Sequence, residues 1–272
     1  MSILIKIFGL KENDEDNLIN LKTKVFLDKR IFGRFTFDES KYPLKAMISN
    51  GEKEIACKII NISEEGMLIE FTDKIDLLQS TSTSTSNNIT LILNDQTHTF
   101  EFTPIHNTDL LSWGIKLKLL QMDKIDQYFS LISPIVIGKN FMELNRNATN
   151  QTSEHIEIKK RIFTSVKDAT ITIWVKEDNW DYPLSFEFLY EKICIRKSNN
   201  KNEIEYLQID EGRVDNAGTK FIQFTGKIGN EDKKQLKNYF KNILINTSDK
   251  ISPLIVSNLI KLIESFTEPS TN

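Results

Sequence analysis

The sequence predicts a mainly β protein of two domains: a set of six short antiparallel strands ending in a helix, then a second β-rich domain with a helix near its C-terminal end. Three observations carry this. Six strand-length apolar runs lie between residues 44 and 119, separated by turn signals such as Ser49-Asn50-Gly51 and Asn94-Asp95, the spacing of an antiparallel barrel or sandwich. An i, i+3, i+4, i+7 apolar series, Ile125, Tyr128, Phe129 and Ile132, follows them as a helix would. The chain has 272 residues, enough for two modest cores, and an Asn- and Thr-rich stretch at 140–154 reads as the linker between them.

Residues 1–24 form an N-terminal segment that runs from Ile3-Leu4-Ile5-Lys6-Ile7-Phe8 into a charge run beginning at Lys11. The opening is short, carries a Lys and lacks a small-residue cleavage site, so it reads as a first strand or a docking segment rather than a signal peptide. A cytoplasmic protein is expected, and no apolar run approaches the roughly 20 residues that span a bilayer. The first domain is expected over 25–139. Its strand candidates are Leu44–Ser49, Glu54–Ile62, Met67–Phe71, Ile89–Leu93, Thr97–Thr103 and Ser112–Leu119. The Ser/Thr repeat at 80–86 reads as a flexible connection. Asp123 is the expected N-cap of the helix, and Pro134 is expected to limit it.

Two polar clusters stand out from this strand pattern. In Lys29-Arg30-Ile31-Phe32-Gly33-Arg34, two guanidiniums lie four residues apart. Gly33 and the alternation Phe35-Thr36-Phe37 argue for an extended arm rather than a helix. In Asn61-Ile62-Ser63-Glu64-Glu65-Gly66, polar groups and a glycine sit between two apolar runs, marking a tight turn in which Gly66 can supply a positive φ. An Arg pair beside an amide and a hydroxyl suits a ligand of planar bases and phosphates, because Arg grips phosphate bidentately and stacks on rings. Arg-x-x-x-Arg followed by Asn-x-Ser-x-x-Gly resembles the PilZ family of bacterial cyclic di-GMP receptors, and Gly114-Ile115-Lys116-Leu117 ahead of a helix resembles the end of that domain. The resemblance covers about residues 25–135. It implies a six-stranded PilZ-type β-barrel and a non-enzymatic effector whose ligand is cyclic di-GMP, with no cofactor. It also implies that Arg30 and Arg34 meet phosphates and guanine faces, that Asn61 and Ser63 meet guanine from the barrel surface, and that Gly66 permits the turn. Lys29 stands where the family varies, and a basic residue there helps accommodate a stacked nucleotide dimer.

Beyond the linker, in residues 155–272, the pattern starts again. Lys29-Arg30-Ile31-Phe32 is echoed by Lys160-Arg161-Ile162-Phe163, and Gln127-Tyr128-Phe129 by Asn238-Tyr239-Phe240. Strand-like stretches lie between, around Ala169–Val175, Leu184–Tyr190, Lys192–Lys197, Ile204–Ile209 and Lys220–Phe224. The expectation is a degenerate PilZ-like β-barrel or α+β domain. It carries neither Arg-x-x-x-Arg nor Asn/Asp-x-Ser-x-x-Gly, so it should not bind the nucleotide. A final helix is expected after Ser252 as cap and Pro253 at the first helical position, with Ile255, Leu259, Leu262, Ile263 and Phe266 as its apolar stripe. Residues 267–272 read as a frayed tail.

Composition narrows the function. Hydrophobic residues make up 39% and charged ones 27%, with a net charge of −3, which disfavours nucleic-acid partners. Cys57 and Cys194 lie in apolar strand-like runs and read as free core thiols. His98, His106 and His155 show no metal-ligand spacing and read as surface or strand-edge residues. Trp113, Trp174 and Trp180 read as core or rim aromatics. There is no phosphate loop, nucleophile elbow or marked acid–base pair, so no enzyme is expected. The leading expectation is a cyclic di-GMP effector that moves its arm, or a partner surface, on binding. The alternative is a constitutive protein–protein adaptor in which the second domain and terminal helix do the work and the nucleotide site is vestigial. The sequence does not name a protein partner.

Overall fold

Turn chemistry and strand alternation close the first six strands on themselves. The computed structural model describes residues 33–50, 53–74, 87–107, 111–144, 150–153, 156–166, 169–198, 203–214, 220–247 and 250–265. Lys29, Arg30, the N-terminal segment 1–24, the Ser/Thr stretch 80–86, Phe266 and the tail 267–272 lie outside the described residues. The strands are β1 (Lys45–Asn50), β2 (Lys53–Ile62), β3 (Gly66–Glu70), β4 (Asn88–Leu93), β5 (Gln96–Asn107) and β6 (Ser112–Leu117). They form a closed barrel in the order β1-β2-β3-β6-β5-β4, with every neighbouring pair antiparallel. Between β4 and β5, Asn94 and Asp95 take φ of 50° and 63°. This is the two-residue turn whose twist matches paired strands, and Asn and Asp tolerate it best after glycine. One residue in two points inward: Ile59, Ile69, Phe100, Phe102, Trp113 and Ile115 are buried, as a period-2 pattern requires.

The barrel is followed by helix α1 (Met122–Lys139), with Asp123 inside its first turn rather than capping it. Pro134 does not end this helix; it lies within it. An internal proline removes one backbone donor and costs about 3 kcal/mol. Against that stands a buried stripe of Leu131, Ile132, Ile135 and Val136, each contributing roughly 1.5–3 kcal/mol of apolar burial. Tyr42, wholly buried, also donates its hydroxyl to Leu131 O at 2.7 Å, an outside donor in the turn that the proline depletes.

The described residues divide into two compact units, separated in sequence between Val136 and Ile137. In the second unit, two short strands lie in the stretch read as a linker: β7 (Met142–Glu143) and β8 (Asn150–Ser153). Both pair with β9 (Ile156–Thr164). Then come β10 (Thr170–Lys176), β11 (Asn179–Tyr190), β12 (Ile193–Lys197), β13 (Glu205–Val214) and β14 (Lys220–Lys227). Their order is β14-β13-β12-β11-β10-β9-β7, an antiparallel sheet whose path does not close among the described residues. Of the two forms expected for this region, it is the α+β one. Helices α2 (Asn230–Ile245) and α3 (Pro253–Ser265) share one core with the sheet. Phe240 stacks on Phe188 with ring centroids 4.2 Å apart, and Ile255, Leu259 and Ile263 are buried along α3. The Lys160-Arg161-Ile162-Phe163 echo lies within β9 as a strand, not an arm. Arg161 is 6% exposed, bound through Nε and Nη2 to Glu143 at 2.7 and 2.9 Å and through Nη1 to Trp180 O at 3.1 Å. It is a core anchor.

Candidate functional site

The outward direction of Asn61 depends on a register slip in β2. Ile59 pairs with Ile69, and both are buried. Regular pairing would next set Ile60 opposite Leu68 and turn Asn61 inward opposite Met67. The register slips between Ile59 and Asn61 instead, so Asn61 faces Leu68 on the outer surface while Ile62 and Met67 pair inside. A β-bulge re-aims side chains in this way.

The next residues are held from below and from the side. Ser63 donates from both its N–H, at 2.8 Å, and its Oγ, at 3.0 Å, to Gly66 O. The buried Tyr128 of α1 donates its hydroxyl to Ser63 O at 2.5 Å and reaches Gly66 O at 3.3 Å. Burial pushes the Tyr128 phenol up, with the charge of Glu64 adding to the effect, so the hydroxyl stays protonated and donating. Phe35 exchanges two backbone hydrogen bonds with Ile62, at 2.8 and 2.9 Å. This bridge sets Arg34, whose side chain is exposed, beside Ser63.

Gly66 is needed for a different reason from the positive φ that the turn suggested. It opens β3 in ordinary strand pairing with Lys116, and a Cβ there would stand 2.0 Å from Ile115 O. The close approach of β6, a backbone contact, excludes every side chain.

Arg34, Asn61, Ser63 and Gly66 line one surface recess of about 150 Å³. Lys29 and Arg30 lie outside the described residues. The far wall comes from Leu68, Gly114, His106 and Ile105. Lys116 and Glu65 pair across the rim at 3.3 Å, both well exposed, a contact that contributes little to stability. From the sequence His106 reads as a surface or strand-edge residue, and it is exposed on the outer face; Tyr128 reads only as one member of an apolar series. The signal for Tyr128 was available, since a tyrosine in a buried stripe must find an acceptor for its hydroxyl. That for His106 was not, because it depends on a second register slip, between Pro104 and His106.

Among the described residues, no group of three or more His, Cys, Asp and Glu side chains could hold a metal ion, and no helix is long and apolar enough to cross a membrane. No protein-family model matches the chain, and no curated protein matches it. Among solved structures, it is similar to the Borreliella burgdorferi PlzA protein in complex with c-di-GMP, at 12% identity over 82% of this chain and 99% of that one, with a TM-score of 0.30. It is also similar to the uncharacterized Legionella protein Lpg0364, at 12% identity over 38% and 91% of the two chains, TM-score 0.26. The hypothetical protein CT021 from Chlamydia trachomatis shares 12% identity over 56% and 82%, TM-score 0.15.

Proposed function

We propose that the first domain is a PilZ-type receptor for cyclic di-GMP and that the protein is a non-enzymatic effector of that messenger. The observation that supports this is the convergence of Arg34, Asn61, Ser63 and Gly66 on one recess of the barrel's outer face. The chemistry of the four groups is complementary to a cyclic dinucleotide. Arg34 offers a planar guanidinium that can fork onto a phosphate and stack on a purine. Asn61 offers both a donor and an acceptor to a guanine edge. Ser63 commits its hydroxyl proton to Gly66 O, so its outward lone pairs accept, and the N–H groups of guanine are donors suited to them. Gly66 keeps the floor free of a side chain. Arg30 and Lys29 complete the arm in this reading.

Titration calorimetry tests it. Cyclic di-GMP should bind with micromolar or tighter affinity, about −8 kcal/mol or beyond. GMP and GTP should bind poorly, since each offers one base where the motif has groups for two. An isotherm that stays flat at high micromolar cyclic di-GMP would overturn the receptor reading and favour the adaptor alternative.

A further inference from the structure

We infer that His106 is a base-reading residue of the same site, donating a hydrogen bond from its imidazole to O6 of a guanine; this rests on the cyclic di-GMP reading above. The first ground is backbone register. On β5, Thr103 pairs with Lys116 and Pro104 with Ile115. Regular pairing would next place His106 opposite Trp113, whose side chain is fully buried, and so turn the imidazole into the core. The slip between Pro104 and His106 sets His106 opposite Gly114 on the outer face instead. It also leaves Ile105, the extra residue, 62% exposed at the edge of the recess.

The second ground is the space that Gly114 leaves. A Cβ at Gly114 would stand 2.2 Å from Cε1, 2.6 Å from Nδ1 and 2.9 Å from Nε2 of His106. The nitrogen-bearing edge of the ring occupies the place where any other residue would carry its side chain. Glycine at 114 therefore lets the ring lie across β6 and toward the recess.

The third ground is alignment. Asn61 pairs with Leu68, Leu68 with Gly114, and Gly114 with His106. One row thus crosses four strands on the outer surface, with a bulge at each end aiming a polar side chain at it. Three strand spacings make the row about 14 Å long, wider than one base. Asn61 meets one guanine in the receptor reading, and His106 stands where the ligand's other end would lie. A neutral imidazole has one N–H donor. Guanine presents O6 and N7 as acceptors on the edge where adenine presents an N6 donor, so the contact favours guanine. Ile105 supplies apolar surface for the base plane.

The test is calorimetry of the full chain and its variants with cyclic di-GMP and cyclic di-AMP. His106→Ala should weaken cyclic di-GMP about tenfold, leave cyclic di-AMP unchanged, and so narrow the preference by the same factor. His106→Gln, which keeps a donor, should restore part of that preference. Gly114→Ala should reproduce the loss in the wild-type background and add nothing in the His106→Ala background, because the displaced ring is then gone. If wild-type protein binds cyclic di-GMP and His106→Ala matches it in affinity and preference, this inference fails while the receptor reading stands. If wild-type protein does not bind cyclic di-GMP, the receptor reading fails and takes the inference with it.

Discussion

Arg34 is carried to the recess by the backbone beside it, through the two Phe35–Ile62 hydrogen bonds, and its own side chain is exposed. Arg34→Ala should therefore change the melting temperature of the ligand-free protein little, by the ±0.5 kcal/mol or so of an ordinary surface substitution. The same change should remove most cyclic di-GMP binding. Arg34→Lys should fail too, since an ammonium has neither the fork nor the stacking face; equal binding by the lysine variant would show that the guanidinium geometry is not used. Gly66 is the opposite case. A Cβ at position 66 would stand 2.0 Å from the Ile115 carbonyl oxygen, and backbone cannot step aside as a side chain can. Gly66→Ala should lower stability by about 1–3 kcal/mol, read from denaturant unfolding, whether or not ligand is present. The two cysteines are a simpler matter: burial pushes the thiols of Cys57 and Cys194 up to about 12. A raised pKa leaves little thiolate at pH 7, so alkylation of the native protein should be slow and should speed up on denaturation.

At the scale of elements, α1 does more than cover the barrel. Its Tyr128 hydroxyl holds the carbonyl of Ser63 in the turn that lines the recess, so the helix sets the geometry of the recess from inside the barrel. Tyr128→Phe should cost roughly 1–2 kcal/mol for the lost bond and the stranded acceptor. It should also weaken cyclic di-GMP, because the turn loses its fixed carbonyl; unchanged affinity with lowered stability would show that the turn holds its shape unaided. The same elements show what the sequence discloses and what it hides. All six barrel strands are readable to within a few residues from apolar runs and turn residues, and the Asn94-Asp95 hairpin follows from residue chemistry alone. The continuation of α1 through Pro134 is not, since proline's cost is local and visible while the burial that outweighs it is tertiary. β7 and β8 are hidden for a related reason. Their residues are polar or few, and pairing with β9 makes them strands. The motif residues Arg34, Asn61, Ser63 and Gly66 are legible as letters, but their meeting on one face depends on a register slip with no marker in composition.

At the scale of the whole molecule, the two units divide their chemistry. The second contains no counterpart of the recess motif, and the arginine that echoes Arg30 is consumed in its own core by Glu143 and the Trp180 carbonyl. Removing one partner of a buried ion pair typically costs about 3–5 kcal/mol. Arg161→Ala should therefore destabilise the second unit by that order in thermal or denaturant unfolding, while the cyclic di-GMP affinity of the folded protein stays unchanged. A drop in affinity would mean that the second unit contributes to the site. For signalling, a ligand shifts an arrangement only by its differential affinity for two arrangements. If the bound arm signals to the second unit, hydrogen exchange on adding cyclic di-GMP should slow over residues 25–37 and 61–67 and also on a patch within 155–272. Slowing at the two motif stretches alone would limit the response to the first domain.

The paired register slips in β2 and β5 have a consequence for how such a site can be gained or lost. Outward and inward positions alternate, so facing is a matter of parity: whether an odd or even number of residues separates a side chain from its last paired neighbour. Deleting Ile60 would leave Asn61 opposite Leu68, still facing out, and Ile62 opposite Met67, still inside; the facing changes only where Ile60 stays and the slip is lost. Ile105 stands in the same relation to His106 and Asn107. Each slip thus absorbs one extra residue and restores the facing of the residues after it. Two barrels could match at every motif letter and still differ in function by whether a strand slips.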